Sequence, residues 1–141
     1  MAIFGLIVVV GIMMVGIGGN LQLFTDPPSI LIVFGFIVGV LLLGKADIAT
    51  MFSAVSGEAG KEQLEKAARG WALARAGAMA GGWLGVIIGG VIMLSQTRGL
   101  DSWLAGGSIL ILTLFWRALL GYGIFLPLQR RLEERALEAG G

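Results

Sequence analysis

The sequence contains no cysteine and no histidine among its 141 residues. These absences exclude disulfides, thiol nucleophiles, histidine relays and the commonest zinc ligands. Charge is also scarce, because only 13% of the residues are charged, against about 25% in average soluble domains. The net charge of +1 gives no basic field for nucleic acid. We therefore expect no enzyme, no catalytic residue, no metal, no cofactor and no nucleic-acid partner.

Apolar residues and glycine make up most of the chain. Hydrophobic residues account for 57% of the sequence, and 24 residues are glycine. The mean hydropathy is +0.92. Soluble domains are closer to about 45–50% apolar, so this composition indicates an integral membrane protein. Glycine at this frequency inside apolar segments is typical of membrane helices that pack closely.

Four apolar runs predict an all-α membrane domain with four transmembrane helices. They lie at about 3–19, 29–48, 77–96 and 103–126. Each approaches the ~20 residues that a membrane span requires. The first run lacks a positive leading region and an A-x-A site, so we expect a span and not a cleaved signal peptide. The polar stretch 49–76 and the tail 127–141 are both predicted to be helical, and Ser29 is predicted to cap the second span.

The distribution of lysine and arginine predicts the orientation. Residues 45–77 and the tail together carry eight of these cations, whereas the loops 18–29 and 95–102 carry only Arg98. Cytoplasmic loops are enriched in lysine and arginine. Both termini and the 45–77 segment are therefore predicted to be cytoplasmic, and four spans satisfy this arrangement.

Glycines spaced by four residues predict close helix contacts. Gly81, Gly85 and Gly89 lie on one face of the third span, and Gly35 and Gly39 repeat the spacing in the second. Small residues at this spacing let a second helix approach closely. The pattern does not decide between packing inside one chain and packing between copies.

Arg117 is the one charged residue in the interior of a predicted span, since Lys45 and Asp47 stand at the end of the second. It lies ten residues before Pro127, or ~15 Å along a helix, which is half of a ~30 Å hydrocarbon core. No acidic residue lies in the interior of a predicted span, so Arg117 either snorkels, faces a cavity, or pairs with an acid on another polypeptide. Thr113, Arg117 and Gly121 share a helix face, which we predict to face a pore or a partner.

Three segments, taken in order, resemble the MotA/TolQ/ExbB proton-channel family. They read Asp-Pro-Pro-Ser-Ile-Leu-Ile-Val-Phe-Gly at 26–35, Gly-Trp-Leu-Gly-Val-Ile-Ile-Gly-Gly-Val-Ile-Met-Leu at 82–94, and Leu-Thr-Leu-Phe-Trp-Arg-Ala-Leu-Leu at 112–120. The resemblance implies a homopentamer in the bacterial inner membrane around a single-span MotB/TolR/ExbD-like partner. That partner carries a membrane aspartate, and proton or other cation flow performs mechanical work.

Three residues depart from that family's pattern. Val86 and Leu114 stand where the family usually has threonine, and Arg117 stands where a small residue is common. By the resemblance, Val86 is a further candidate for the pore or partner-facing surface. Two functions stay open: a channel subunit, or a non-conducting membrane ring that acts as a scaffold or binds lipid or a partner.

Overall fold

The computed structural model describes residues 2–95 and 99–141, which are helical throughout apart from short turns. The predicted all-α class is thereby confirmed for these residues. In chain order the elements are α1 (Ala2–Ile17), a 3₁₀ turn (Leu21–Phe24), α2 (Pro27–Leu43), α3 (Ile48–Ser56), α4 (Lys61–Ser95), α5 (Leu100–Ala118), a π-helical segment (Leu119–Phe125) and α6 (Leu126–Gly140).

Two helices of the described residues are long and apolar enough to cross a membrane. They are α4, with 35 residues, and the rod Trp103–Gly140, with 38. A third span results if α2 and α3, which meet at a bend of 102°, are counted as one broken span. By the same measure α1 is a shorter apolar helix. The chain is thus a membrane protein by the length and composition of two or three helices.

α2 begins at an aspartate cap. The Asp26 carboxylate accepts hydrogen bonds from the backbone N–H of Ser29 at 3.1 Å and from its hydroxyl at 2.7 Å. Pro27 and Pro28 occupy the first positions of the helix, where a missing N–H costs nothing. The capping residue of α2 is therefore Asp26 and not Ser29, which the sequence predicted. Ser29 donates its N–H and its hydroxyl to the Asp26 carboxylate.

α2 ends at Leu43, five residues before the predicted end of the second span. Gly44 closes the helix, and Lys45 follows in a left-handed conformation with φ of 50°. Asp47 then caps α3 by accepting hydrogen bonds from the Thr50 N–H and hydroxyl. These bonds hold the pKa of Asp47 below its ordinary value of 3.8, because they stabilise the ionised carboxylate.

The predicted cytoplasmic stretch 49–76 consists of two helices. α3 stops before Gly57, and α4 starts at Lys61 and continues without a break through the predicted third span. Glu62 and Lys66 form the i,i+4 ion pair that favours this helix, at 3.1 Å.

The helix of the fourth predicted span continues past Pro127, and the tail 127–141 belongs to the same rod. The π-helical segment ends at Phe125, two residues before Pro127, and the Leu126 N–H donates to the Gly121 carbonyl five residues back. A proline ring clashes with the carbonyl four residues before it. The wider π turn leaves room for this carbonyl, so the helix continues past Pro127.

α4 is the central helix and packs against α2, α3, α5 and α6. Most of the buried core lies along α2 and the first half of α4, where α3 and α6 also meet. Its buried members include Trp71, Phe125, Met51, Leu64, Leu132 and Val33.

Candidate functional site

Gly81, Gly85 and Gly89, the glycines of α4 that were predicted to pack, lie in two helix contacts inside the protomer. A Cβ atom at Gly81 would lie 3.0 Å from Val33 Cα on α2. A Cβ at Gly85 would overlap the Thr113 side chain on α5, and one at Gly89 would lie 2.6 Å from the Gly106 carbonyl oxygen. These three residues therefore let α4 approach α2 on one side and α5 on the other.

Gly35 and Gly39 on α2 have a different environment. A Cβ atom at either position would have no heavy atom within 4 Å. The groove beside them is lined by apolar side chains of α2 and by Ile88 of α4. Inside the protomer these two glycines thus form no helix contact.

Thr113 is fully buried between α5 and α4. Its hydroxyl donates to the Ile109 carbonyl of its own helix at 2.7 Å, and its side chain fills the space opposite Gly85. Gly121 is also buried, with the Met79 sulfur 3.3 Å from the position of a Cβ. Two members of the strip predicted to face a pore or partner therefore face α4 instead. Val86 is half-buried.

Arg117 lies half-buried at the outer edge of the same α4–α5 contact. Its aliphatic stem covers Gly82. Its Nε donates to the sulfur of Met79 at 3.3 Å, and its guanidinium carbon lies 4.4 Å from the centre of the Trp83 ring. Among the residues that the structure describes, no carboxylate forms an ion pair with it. Inside the protomer the Arg117 guanidinium therefore contacts the face of the Trp83 ring and the thioether sulfur of Met79.

The contact with Gly82 gives Arg117 a position along α4. Gly82 is seven residues from Arg75 and thirteen from Ser95, or ~10 and ~20 Å along the helix. The estimate from Pro127 placed Arg117 halfway through a span, but the rod continues past that proline. Arg117 lies nearer to the Arg75 end of the uncharged part of α4.

A second polar contact joins α2 to α5. Ser29 is fully buried, its hydroxyl donates to Asp26, and the same oxygen lies 3.5 Å from the Ile109 carbonyl that accepts from Thr113. Asp26 is thereby connected through Ser29 to the α4–α5 contact. Asp26 lies outside every predicted span, and sequence reasoning missed this connection, for which the Asp-Pro-Pro-Ser pattern is the only sequence signal.

Comparisons with protein-family models, curated proteins and solved structures find no match to this chain. The resemblance to the MotA/TolQ/ExbB family stays a prediction. Any argument about function therefore rests on the surroundings of Arg117, Thr113 and Asp26.

Proposed function

We propose that the protein is a non-conducting membrane scaffold that assembles with neighbouring membrane proteins through the outer edge of its α4–α5 contact. The burial of Thr113 is the observation that carries this proposal. Its hydroxyl is bonded to its own helix and its methyl group packs against Gly85. A proton path needs polar groups that are free to bind water or protons, and Thr113 is not free.

Arg117 supports the assembly part of the proposal. A charged residue at the centre of a span costs ~2.5–3.5 kcal/mol on insertion scales, and a part of that cost applies to Arg117, which lies off the centre. The cation–π contact with Trp83 supplies some compensation. No carboxylate of the described residues pairs with the guanidinium, so an acidic group outside the protomer would supply the missing ion pair. Trp83 is 56% exposed, which leaves one side of the pair open to a neighbour.

The polar contacts that Ser29 makes with Asp26 and with the Ile109 carbonyl favour a second candidate, the channel subunit implied by the family resemblance. In that case five copies surround a single-span partner, and its membrane aspartate carries protons or another cation. Asp26 and Ser29 would then supply oxygen atoms at the entrance of the path. Arg117 opposes this function, because a nearby guanidinium holds a partner carboxylate ionised and repels cations.

Particle mass and proton flux, measured on the same preparations, test the proposal. The particle extracted from its native membrane is weighed, and flux is measured in liposomes for the wild type, Arg117→Leu and Val86→Thr. Scaffold function predicts no flux above the lipid background in any of them. It also predicts that Arg117→Leu lowers the particle mass through loss of neighbours, whereas insertion improves because a charge is removed.

Ala118→Leu is the matched control, because Ala118 is the exposed neighbour of Arg117 on the same helix. It adds apolar bulk without removing the charge, and the particle mass should not change. Wild-type proton flux that rises in Val86→Thr would refute the scaffold and favour the channel. An unchanged mass for Arg117→Leu would mean that Arg117 only snorkels.

A further inference from the structure

α3 leaves α2 almost at a right angle. The two helices are separated by the short turn 44–47 and bend by 102°. α2 is an apolar helix of 17 residues, or ~25 Å, and its flanking residues or local thinning of the bilayer bring it to the ~30 Å of a hydrocarbon core. If α2 crosses the membrane by itself, the axis of α3 lies nearly parallel to the membrane surface where α2 ends.

α3 has one packed side and one apolar edge that is open. Met51 and Ala54 are buried, and the Met51 carbonyl accepts a hydrogen bond from the Trp71 indole at 3.2 Å. Ile48 and Phe52 are 47% and 61% exposed. They are four residues apart and so share an edge of the helix. Their apolar side chains are therefore free to contact the phase that surrounds the protein.

Aromatic rings accompany that open edge. The Phe52 ring lies edge-on to Trp71 with centroids 5.3 Å apart, and Trp71 lies 5.7 Å from Phe125. Phe125 is the last residue of the π-helical segment and lies in the apolar part of the rod. Trp71 and Phe125 are both buried, so Phe52 is the ring of this group that is left open to the surroundings.

The C-terminal end of α3 contacts the charged part of α6. Arg135 donates to the carbonyls of Ala54 and Gly57. Arg135 is ten residues beyond Phe125, or ~15 Å along the rod. α3 therefore lies between an apolar, aromatic level and a charged level, which is the change in polarity found across a membrane interface.

We propose that α3 is an interfacial helix whose Ile48 and Phe52 side chains insert into the acyl–headgroup boundary of the leaflet where α2 ends. Helices of this type bury their apolar face ~5–10 Å into that boundary. The occupant of the open edge is lipid. The proposal requires α2 to cross the membrane and is independent of whether the protein is a scaffold or a channel.

The absence of cysteine permits a direct depth measurement on the full chain. Phe52→Cys is labelled with an environment-sensitive fluorophore and reconstituted in phosphatidylcholine vesicles. Quenching is compared for a nitroxide near the headgroups, a nitroxide near the end of the acyl chain, and aqueous iodide. We expect the shallow nitroxide to quench about threefold more than the deep one, because the probe lies near the interface.

Ser53→Cys is the matched control, because Ser53 is exposed and lies about 100° around the helix from Phe52. Iodide should quench the probe at 53 at least about threefold more than the probe at 52. Ile48→Cys repeats the measurement should Phe52→Cys fold poorly. Equal iodide quenching at 52 and 53 would place α3 in water. Strongest quenching by the deep nitroxide would make α3 part of a broken span. Either result overturns the proposal.

Discussion

Arg135 holds the C-terminal end of α3 against α6. Its two guanidinium nitrogens donate to the carbonyls of Ala54 and Gly57, the latter at 2.8 Å. The last carbonyls of a helix have no partner within the helix, and a cation near them also interacts favourably with the helix dipole. One side chain thus satisfies two backbone acceptors on an element that is distant in sequence.

Replacing Arg135 by alanine should destabilise the protein by about 1–3 kcal/mol, because hydrogen bonds to charged groups contribute about 1.5–3 kcal/mol and this side chain is only partly buried. Denaturant unfolding in detergent micelles measures the change. Arg130→Ala removes the same charge from an exposed position on the same helix and should change stability by less than about 0.5 kcal/mol. Equal effects of the two variants would show that net charge, and not the two hydrogen bonds, is responsible.

The surroundings of Arg117 could be predicted only in part from the sequence. Sequence alone identifies it as the one cation in the interior of a predicted span, and helical spacing places Thr113 and Gly121 on its face. Spacing does not tell which helix covers that face. Gly85 leaves room on α4 that the Thr113 side chain fills, so the predicted strip is mostly internal. The partner of a helix face depends on packing between distant segments, which periodicity does not encode.

Glycine makes α4 the central element of the bundle. The same helix contacts α2 through Gly81 and α5 through Gly85 and Gly89. Backbones that approach this closely gain van der Waals contact that membrane helices cannot obtain from the hydrophobic effect. The close approach leaves no space for a methyl group at these positions.

Gly89→Ala should therefore destabilise the bundle by about 1–3 kcal/mol, the usual cost of overpacking. A Cβ there would lie 2.6 Å from the Gly106 carbonyl oxygen and 2.8 Å from the Leu110 nitrogen, and backbone atoms do not move aside cheaply. Gly90→Ala is the control, since a Cβ at Gly90 would have no heavy atom within 4 Å. Thermal unfolding in micelles compares the two. Similar melting temperatures would contradict the α4–α5 contact.

Some helix boundaries could be predicted from the local sequence, and others could not. The apolar runs follow from composition, and the Asp-Pro-Pro-Ser pattern predicts a capped start of α2, although the cap is Asp26 and not Ser29. The turn at Lys45 was not predicted, because a left-handed lysine is uncommon and has no sequence signature. The rod through Pro127 was not predicted either, since proline usually ends a helix and the π-helical segment that accommodates it depends on the buried Gly121 and Gly123.

The two long helices and the shorter apolar helices differ in whether they are long enough to cross a membrane. α4 and the rod Trp103–Gly140 exceed the length of a bilayer core. α1 has 16 residues, or ~24 Å, and reaches a full span only with local thinning of the bilayer or with its flanking residues. The number of crossings therefore depends on whether α1 and α2 form a transmembrane hairpin.

Single cysteines in this cysteine-free chain measure the crossings directly. Lysine and arginine are concentrated in residues 45–77 and in α6, so the positive-inside rule predicts cytoplasmic Gly60→Cys and Glu138→Cys. Four crossings predict that Asn20→Cys and Asp101→Cys react with a membrane-impermeant maleimide only from the opposite side. All four positions are exposed, so burial does not limit labelling. Labelling of Asn20→Cys from the same side as Gly60→Cys, with Asp101→Cys still opposite, would restrict the crossings to α4 and α5. In that arrangement α2 would lie along the surface as well, and the depth predicted for Phe52 would no longer follow from the bend between α2 and α3.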